Sequence, residues 1–184
     1  MPFTGAYFQD IFGEFAGILW YNQVYLLQGA ELMSNNIKGV HRMDRKSQIA
    51  PCGLECFNCN LLEENLTDED RMRVAEYRKI SPDEVACKGC RAESGKCRYA
   101  EFDCATWACA QEKGVTYCFE CSSFPCGLLA PSAKGASYPH NMKVYNLCRM
   151  RLIGIDDWIE ESATTRKRYF EGRFVVGQGP VLDD

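Results

Sequence analysis

The sequence that decides the fold reads PCGLECFNC at residues 51–59, ACKGC at 86–90 and YCFECSSFPC at 117–126. Each of these segments contains a CxxC pair, in which one tight turn lets two thiolates point at a single ion. Eleven of the twelve cysteines of the 184-residue chain fall between Cys52 and Cys126. The spacing therefore predicts a domain that is held together by metal–thiolate bonds.

The cysteine-rich window is poor in residues that build an apolar core. Leu, Ile, Val and Phe supply 12 of the 75 residues from 52 to 126, which is below the roughly 20% that usually marks chains unable to bury a core. Metal binding can replace the missing burial because it is itself a source of folding free energy. We therefore expect a small α-rich, metal-stapled irregular domain with zinc-knuckle or zinc-ribbon-like CxxC turns, followed by two C-terminal helices.

Three regions follow from the distribution of cysteine and apolar residues. Residues 1–47 form an apolar N-terminal extension without cysteine, 48–130 form the metal-binding domain, and 131–184 form a helical region that packs on it. The sequence from Met43 resembles a natural protein start. The residues before it are therefore either an extension that docks loosely or an ordinary N-terminal helix, and the sequence does not choose between them.

Four helices are predicted from caps and apolar periodicity. They span residues 67–80, 102–113, 139–152 and 156–171, and each is followed by proline or glycine within a few residues. Cys148 falls on the apolar stripe of the third of these helices. It is predicted to be a small core residue, because unligated cysteine behaves as a small hydrophobic side chain.

Tetrahedral zinc prefers four thiolates, commonly from two CxxC turns. The simplest first site joins the first two CxxC pairs, and a second site joins the third pair to two further cysteines. Eleven candidate thiols exceed the eight that two sites require, so either a third site exists or some thiols are free. Two or more zinc ions are expected. The second site draws its remaining ligands from Cys97, Cys104, Cys109 and Cys126. The predicted metal ligands are Cys52, Cys56, Cys59, Cys87, Cys90, Cys104, Cys109, Cys118, Cys121 and Cys126.

An iron–sulfur cluster is the main alternative, because thiolates alone do not distinguish it from zinc. The spacing CxxxCxxC at 52–59 is that of radical S-adenosylmethionine enzymes, but Asn58 stands where they usually have an aromatic residue, and the chain lacks their barrel pattern. A cluster would imply a redox or catalytic role in an anaerobic-type metabolism. The chain has two histidines, His41 and His140, and no recognisable catalytic constellation, so enzymatic activity is left open.

Charge and leader features indicate the partner class and the compartment. The window 52–126 holds 9 Lys and Arg against 14 Asp and Glu, and the whole chain has a net charge of -4, which is the wrong sign for phosphate neutralisation. A protein partner is therefore favoured over nucleic acid, while the oligomeric state is not indicated. The uncharged run 15–30 is shorter than the roughly 20 residues of a membrane span, and no secretion signal is evident. A cytoplasmic protein with reduced thiols is expected.

The runs IAPCGLECFNC, ACKGCR, CATWACAQEKGVTYCFECSSFPC and YPHNMKVYNL together resemble a cysteine-rich family of bacterial and archaeal proteins that is known only as a domain of unknown function. The resemblance covers residues from about 48 to the mid-150s. It implies a small cytosolic, zinc-binding protein, and it carries no established activity. Residues 1–47 have no counterpart in it, and Cys97 is additional to its pattern.

Overall fold

A computed structural model of the protein describes residues 42–97, 103–132, 135 and 138–183. The predicted N-terminal extension lies outside the described residues up to position 41, so neither interpretation of that region is tested. The described part contains five α-helices: α1 Arg42–Ser47, α2 Asp68–Arg78, α3 Ala105–Glu112, α4 Lys143–Ile153 and α5 Ile155–Glu171. Short 3-10 turns connect them at Cys56–Asn58, Pro82–Glu84, Cys118–Glu120, Gly127–Leu129 and Pro139–Met142. The expectation of a helix-rich protein is confirmed.

Helix α2 begins where its sequence predicts and ends two residues earlier than the predicted position 80. The Thr67 hydroxyl accepts a hydrogen bond from the Asp70 N–H at 3.1 Å, which satisfies one of the free donors of the first turn. Lys79 ends the helix in a left-handed conformation, with φ 56°. The acidic residues of the first turn lie at the positive end of the helix dipole. Asp68 and Glu69 are exposed, whereas Asp70 is buried and forms an ion pair with Arg73.

Helices α4 and α5 confirm the two predicted C-terminal helices, but Cys148 does not lie where its apolar neighbours suggested. Leu147 is fully buried, whereas Cys148, one position later, is exposed. One residue corresponds to about 100° around a helix, so the buried stripe of α4 runs through Leu147 and Met150. The prediction that Cys148 is a core residue is wrong, because a stripe defined by few apolar positions was drawn one residue too wide.

The chain divides into two compact units. One contains residues 40–133 and 138–163, and the other contains residues 1–39, 134–137 and 164–184. In the second unit, two short strands that the sequence did not predict form an antiparallel hairpin, β1 Arg173–Val175 and β2 Gly179–Val181. Gly177 and Gly179 have φ of +82°, which a tight turn between such strands requires and which glycine adopts without strain.

The first unit has two apolar clusters. The larger one includes Phe57, whose ring meets Trp158 of α5 edge to face at 6.0 Å. The smaller one lies between the α2 helix and the second CxxC segment, and consists of Leu61, Val74, Ala75 and Val85. The members of the larger cluster are Ile49, Ala50, Cys52, Phe57, Tyr117, Leu129, Leu147, Met150, Trp158 and Ile159.

Neither α5, the longest helix of the described residues, nor any other helix there combines the length and hydropathy that crossing a bilayer requires.

Candidate metal centre

The first CxxC turn is built by a 3-10 segment, Cys56–Asn58. The Cys59 N–H donates to the Cys56 carbonyl at 2.9 Å. The Asn65 side chain donates to the carbonyls of Phe57 and Cys59, at 2.8 and 2.9 Å. The Cys59 carbonyl also accepts from the Leu62 N–H at 3.1 Å, so the backbone carbonyls of this turn are hydrogen-bonded. The turn therefore holds Cys56 and Cys59 in a fixed backbone geometry.

The second CxxC turn pairs with the residues that follow the first. The Cys87 N–H donates to the Leu61 carbonyl and the Glu63 N–H donates to the Cys87 carbonyl, both at 2.8 Å. Gly89 has φ +93°, and its N–H points at the Cys87 sulfur at 3.4 Å. A Cβ placed on Gly89 would lie 3.8 Å from the Cys56 Cβ, so the two turns are direct neighbours.

These two neighbouring turns carry four thiols, and the thiols pack against both apolar clusters. Cys56 and Cys90 pack against the larger cluster, whereas Cys59 and Cys87 pack against the smaller one. The backbone N–H of Cys90 donates to the Cys56 sulfur, which favours the thiolate form that a metal requires. We call this set the first thiol group: Cys56, Cys59, Cys87 and Cys90.

The third CxxC turn is stabilised by its own glutamate. Glu120 accepts hydrogen bonds from the N–H groups of Thr116 and Tyr117, at 2.8 and 3.1 Å. The Cys121 N–H donates to the Cys118 carbonyl at 3.2 Å, and the Ser123 N–H points at the Cys121 sulfur at 3.4 Å. Amide-to-sulfur contacts of this kind recur at Cys87 and Cys121, in the second and third turns.

Four cysteines line one cavity of about 380 Å³ beside α3. Cys109 comes from α3, two come from the third turn, and Cys126 follows the cis Phe124–Pro125 bond. The other walls are largely apolar and include Phe124 and Leu129. Cys126 is exposed, so the cavity opens to solvent at that residue. We call this set the second thiol group: Cys109, Cys118, Cys121 and Cys126.

Cys52 and Cys104 lie outside both groups. Cys52 is buried in the larger cluster, and its ionised form would raise the pKa values of Cys56 and Cys118, one thiol of each group. Cys104 forms the N-cap of α3. The sequence placed it on that helix with Cys109, but it precedes the first helical residue. Cys97 is half-buried.

Burial shifts the thiol groups toward the protonated form. Desolvation raises the pKa of Cys56 and that of Cys118 to about 12, and it also raises the pKa values of Cys52 and Cys90. Neighbouring thiols raise the pKa values of Cys56, Cys90 and Cys118 further, because two like charges disfavour each other. A bound cation would reverse this effect, since it favours thiolate over thiol.

The side chains of the two groups are all thiols, which are suitable ligands for a metal. Their positions, however, do not form a coordination site. Thiols alone form the two groups, and none of the twelve cysteines is in a disulfide. Across residues 42–97, 103–132, 135 and 138–183, no three His, Cys, Asp or Glu side chains converge closely enough to hold an ion as they stand. Zinc-knuckle turns stapled by a metal therefore remain a prediction.

One segment, residues 49–53, connects the cysteine turns to one another. The Ile49 carbonyl accepts from Arg91 Nε at 2.7 Å, and the Pro51 carbonyl accepts from the Cys118 N–H at 2.8 Å. The Gly53 carbonyl accepts from the Asn146 side chain at 2.9 Å. We call residues 49–53 the hub segment. Sequence reasoning missed its partners, although the YPHNMKVYNL motif contains Asn146.

His140 has no thiol partner in the described structure. It stacks on Tyr138, with ring centroids 4.6 Å apart. Burial, followed by the charge of Lys143, lowers the pKa of His140 to about 4. The imidazole is therefore neutral at physiological pH, and its placement is that of a packed aromatic side chain.

Residues 48–131 match the family described as Protein of unknown function (DUF3795), which confirms the resemblance carried by the cysteine spacing. The matched segment contains both thiol groups and ends before α4. No curated protein and no solved structure gave a significant match to the chain.

Proposed function

We propose that the protein is a metal-binding module in which each of the two thiol groups holds one zinc ion. The observation that carries this proposal is the pairing of the first two CxxC turns through Leu61, Glu63 and Cys87, which places four thiols against two apolar clusters. Four thiolates from two turns are the usual donor set of a structural zinc site. The zinc ions then stabilise the fold, and the module serves as a scaffold for a protein partner.

The partner and the compartment follow from charge and redox chemistry. The net charge of -4 disfavours nucleic acid. Tyr145 and Leu152 of α4 are 51% and 75% exposed and lie two turns apart on one helix face, which offers an apolar surface to a protein. Twelve cysteines without a disulfide suit a reducing compartment such as the cytoplasm.

An iron–sulfur cluster is the second candidate, and one observation favours it at the second thiol group. The cavity of about 380 Å³ that these four cysteines line has room for several water-sized groups, each about 30 Å³. A single zinc ion fills far less space, whereas a cluster held by four cysteines places iron and sulfide between them. The bound cluster would supply electron transfer or a structural cross-link.

Anaerobic purification followed by elemental analysis tests both candidates. We expect about two zinc ions per chain, no acid-labile sulfide and no visible absorption. Iron with equimolar sulfide, together with a brown colour, would show that the protein binds an iron–sulfur cluster instead of zinc. A protein that contains neither metal, and that gains no thermal stability when zinc is added under reducing conditions, would overturn the proposal.

The double variant Cys118→Ser, Cys121→Ser assigns the metal to a group. It should lower the zinc content by one ion if the second thiol group binds zinc. Cys148→Ser is the matched control, because Cys148 is an exposed cysteine of α4 outside both groups, and it should leave the zinc content unchanged.

A further inference from the structure

Arg91 connects the backbone of the two thiol groups. It directly follows Cys90 of the first group, and Thr116 lies two residues before Cys118 of the second group. The Arg91 Nε donates to the Ile49 carbonyl and its Nη2 donates to the Thr116 carbonyl, each at 2.7 Å. Because the guanidinium is a rigid, planar fork, it fixes these two carbonyls relative to each other and to the second CxxC turn.

The guanidinium is also packed against the third turn. It lies 5.2 Å from the centre of the Tyr117 ring, where a cation is attracted to the aromatic face. Tyr117 is 5% exposed and stacks on Phe119 of the same turn, with ring centroids 5.5 Å apart. A shift of the third turn would therefore displace both the hydrogen bond and the ring contact of Arg91.

A second connection joins the loop after the second turn to α3. The Gly95 N–H donates to the Cys90 carbonyl at 2.8 Å, so Gly95 closes that loop. A Cβ placed on Gly95 would lie 2.5 Å from the Trp107 Cγ, so the indole lies directly on the loop backbone. Trp107 belongs to α3, the helix that carries Cys109 of the second group. Since close-packed contacts transmit strain, a movement of α3 would displace the loop of the first group.

We propose that Arg91 and Trp107 couple the two metal centres, so that a metal ion at one thiol group strengthens metal binding at the other. This inference rests on the proposed metal-binding function. A metal ion at the first group fixes the second turn, and Arg91 and Trp107 then hold the third turn and α3 in place for the second ion. Because both binding events order the same segments, the entropy cost of ordering is shared between them. Linkage makes the strengthening reciprocal.

Exchange of bound zinc tests the coupling on the full-length protein. Zinc-loaded protein is mixed with an enriched zinc isotope at a constant free zinc concentration, and native mass spectrometry follows the replacement of each ion. The double variant Cys118→Ser, Cys121→Ser empties the second group and keeps the first. Its remaining ion should exchange about 10 times faster than the slowest phase of the wild type, a ratio that is usual for coupled sites.

Variants of the two connecting side chains should abolish or reduce this ratio. Arg91→Lys keeps a cation beside Tyr117 but loses the planar fork, so emptying the second group in this background should change the slowest phase by less than about twofold, as for independent sites. Trp107→Phe removes part of the indole contact and should give an intermediate ratio. Arg71→Lys is the matched control, because Arg71 is also a half-buried arginine that donates to a backbone carbonyl, that of Pro82 at 3.2 Å. It should keep the wild-type ratio.

Circular dichroism checks that the variants keep their helices, and either Arg91→Lys or Trp107→Phe is sufficient for the test. If emptying the second group leaves the slowest phase of the wild type unchanged, or if the ratio stays tenfold in the connecting variants, the two groups bind zinc independently. The proposal is then wrong while the metal-binding function stands. Wild-type protein that contains no zinc would instead overturn the proposed function, and this inference with it.

Discussion

The two thiol groups have the same donors but different surroundings. The first group packs against two apolar clusters, with Cys56 and Cys90 facing one and Cys59 and Cys87 facing the other. The second group lines a cavity that opens to solvent at Cys126. Both use CxxC turns with amide-to-sulfur contacts, so local sequence does not distinguish them. Under the proposed function, a metal at the first group would support the core, whereas a metal at the second group would occupy its edge.

The largest effect is expected at the first group. Cys56→Ser or Cys90→Ser should release one metal ion and unfold residues 48–131. Apparent zinc free energies of roughly 10–16 kcal/mol in small metal domains exceed the roughly 5–15 kcal/mol net stability of a typical domain. Metal content and thermal unfolding measured on the same preparations check this, and a variant that melts like the wild type would contradict the role given to this group.

A smaller effect is expected at the second group. Cys126→Ser should remove one metal ion but leave a cooperative thermal transition, because Cys126 is exposed and the neighbouring Leu129 keeps its place in the larger cluster. Differential scanning calorimetry with metal analysis gives both quantities. Loss of the transition in Cys126→Ser would show that the two groups are equivalent, and the contrast between them would fail.

Thiol reactivity of the folded protein, as purified under reducing conditions, sharpens the comparison further. The thiolate is the form that an alkylating reagent attacks, and burial raises the pKa of Cys56 to about 12. At pH 8, the exposed Cys126 should therefore react with iodoacetamide well before the partly buried Cys56. Peptide mass mapping after short exposure measures the order. Equal rates at both cysteines would contradict the difference in burial between the two thiol groups.

The smallest effect belongs to the cysteine outside both groups. Cys148→Ser should keep the metal content and change the free energy of unfolding by less than about 0.5 kcal/mol, as exposed substitutions usually do. The side chain is exposed on α4, so no apolar contact is lost. Urea denaturation of this variant and the wild type provides the number. A loss above 1 kcal/mol would restore the core interpretation of Cys148.

The sequence predicted the helices better than the arrangement of the thiols. Thr67 marks the start of α2 and Gly154 the end of α4, because caps act over a few residues. The hairpin at 173–181 was missed, since three-residue strands carry almost no periodicity. The backbone of the first two CxxC turns is paired, and a shared metal site at these turns stays a prediction. Cys109 and Cys126 belong to the second group because of where α3 packs. The spacing of cysteines in the sequence does not predict that packing.

Arg91 joins three parts of the chain. Its guanidinium donates to the carbonyls of Ile49 and Thr116, 42 and 25 residues away, each at 2.7 Å, and lies 5.2 Å from the centre of the Tyr117 ring. On the ribosome, Arg91 emerges before Thr116 and Tyr117 exist. The first half of the cysteine-rich segment is therefore synthesised before the residues that Arg91 contacts in the second half. Protein fragments that stop before Thr116 would lack this contact. During synthesis, chaperones and metal ions would therefore encounter the first half of the segment before it is joined to the second.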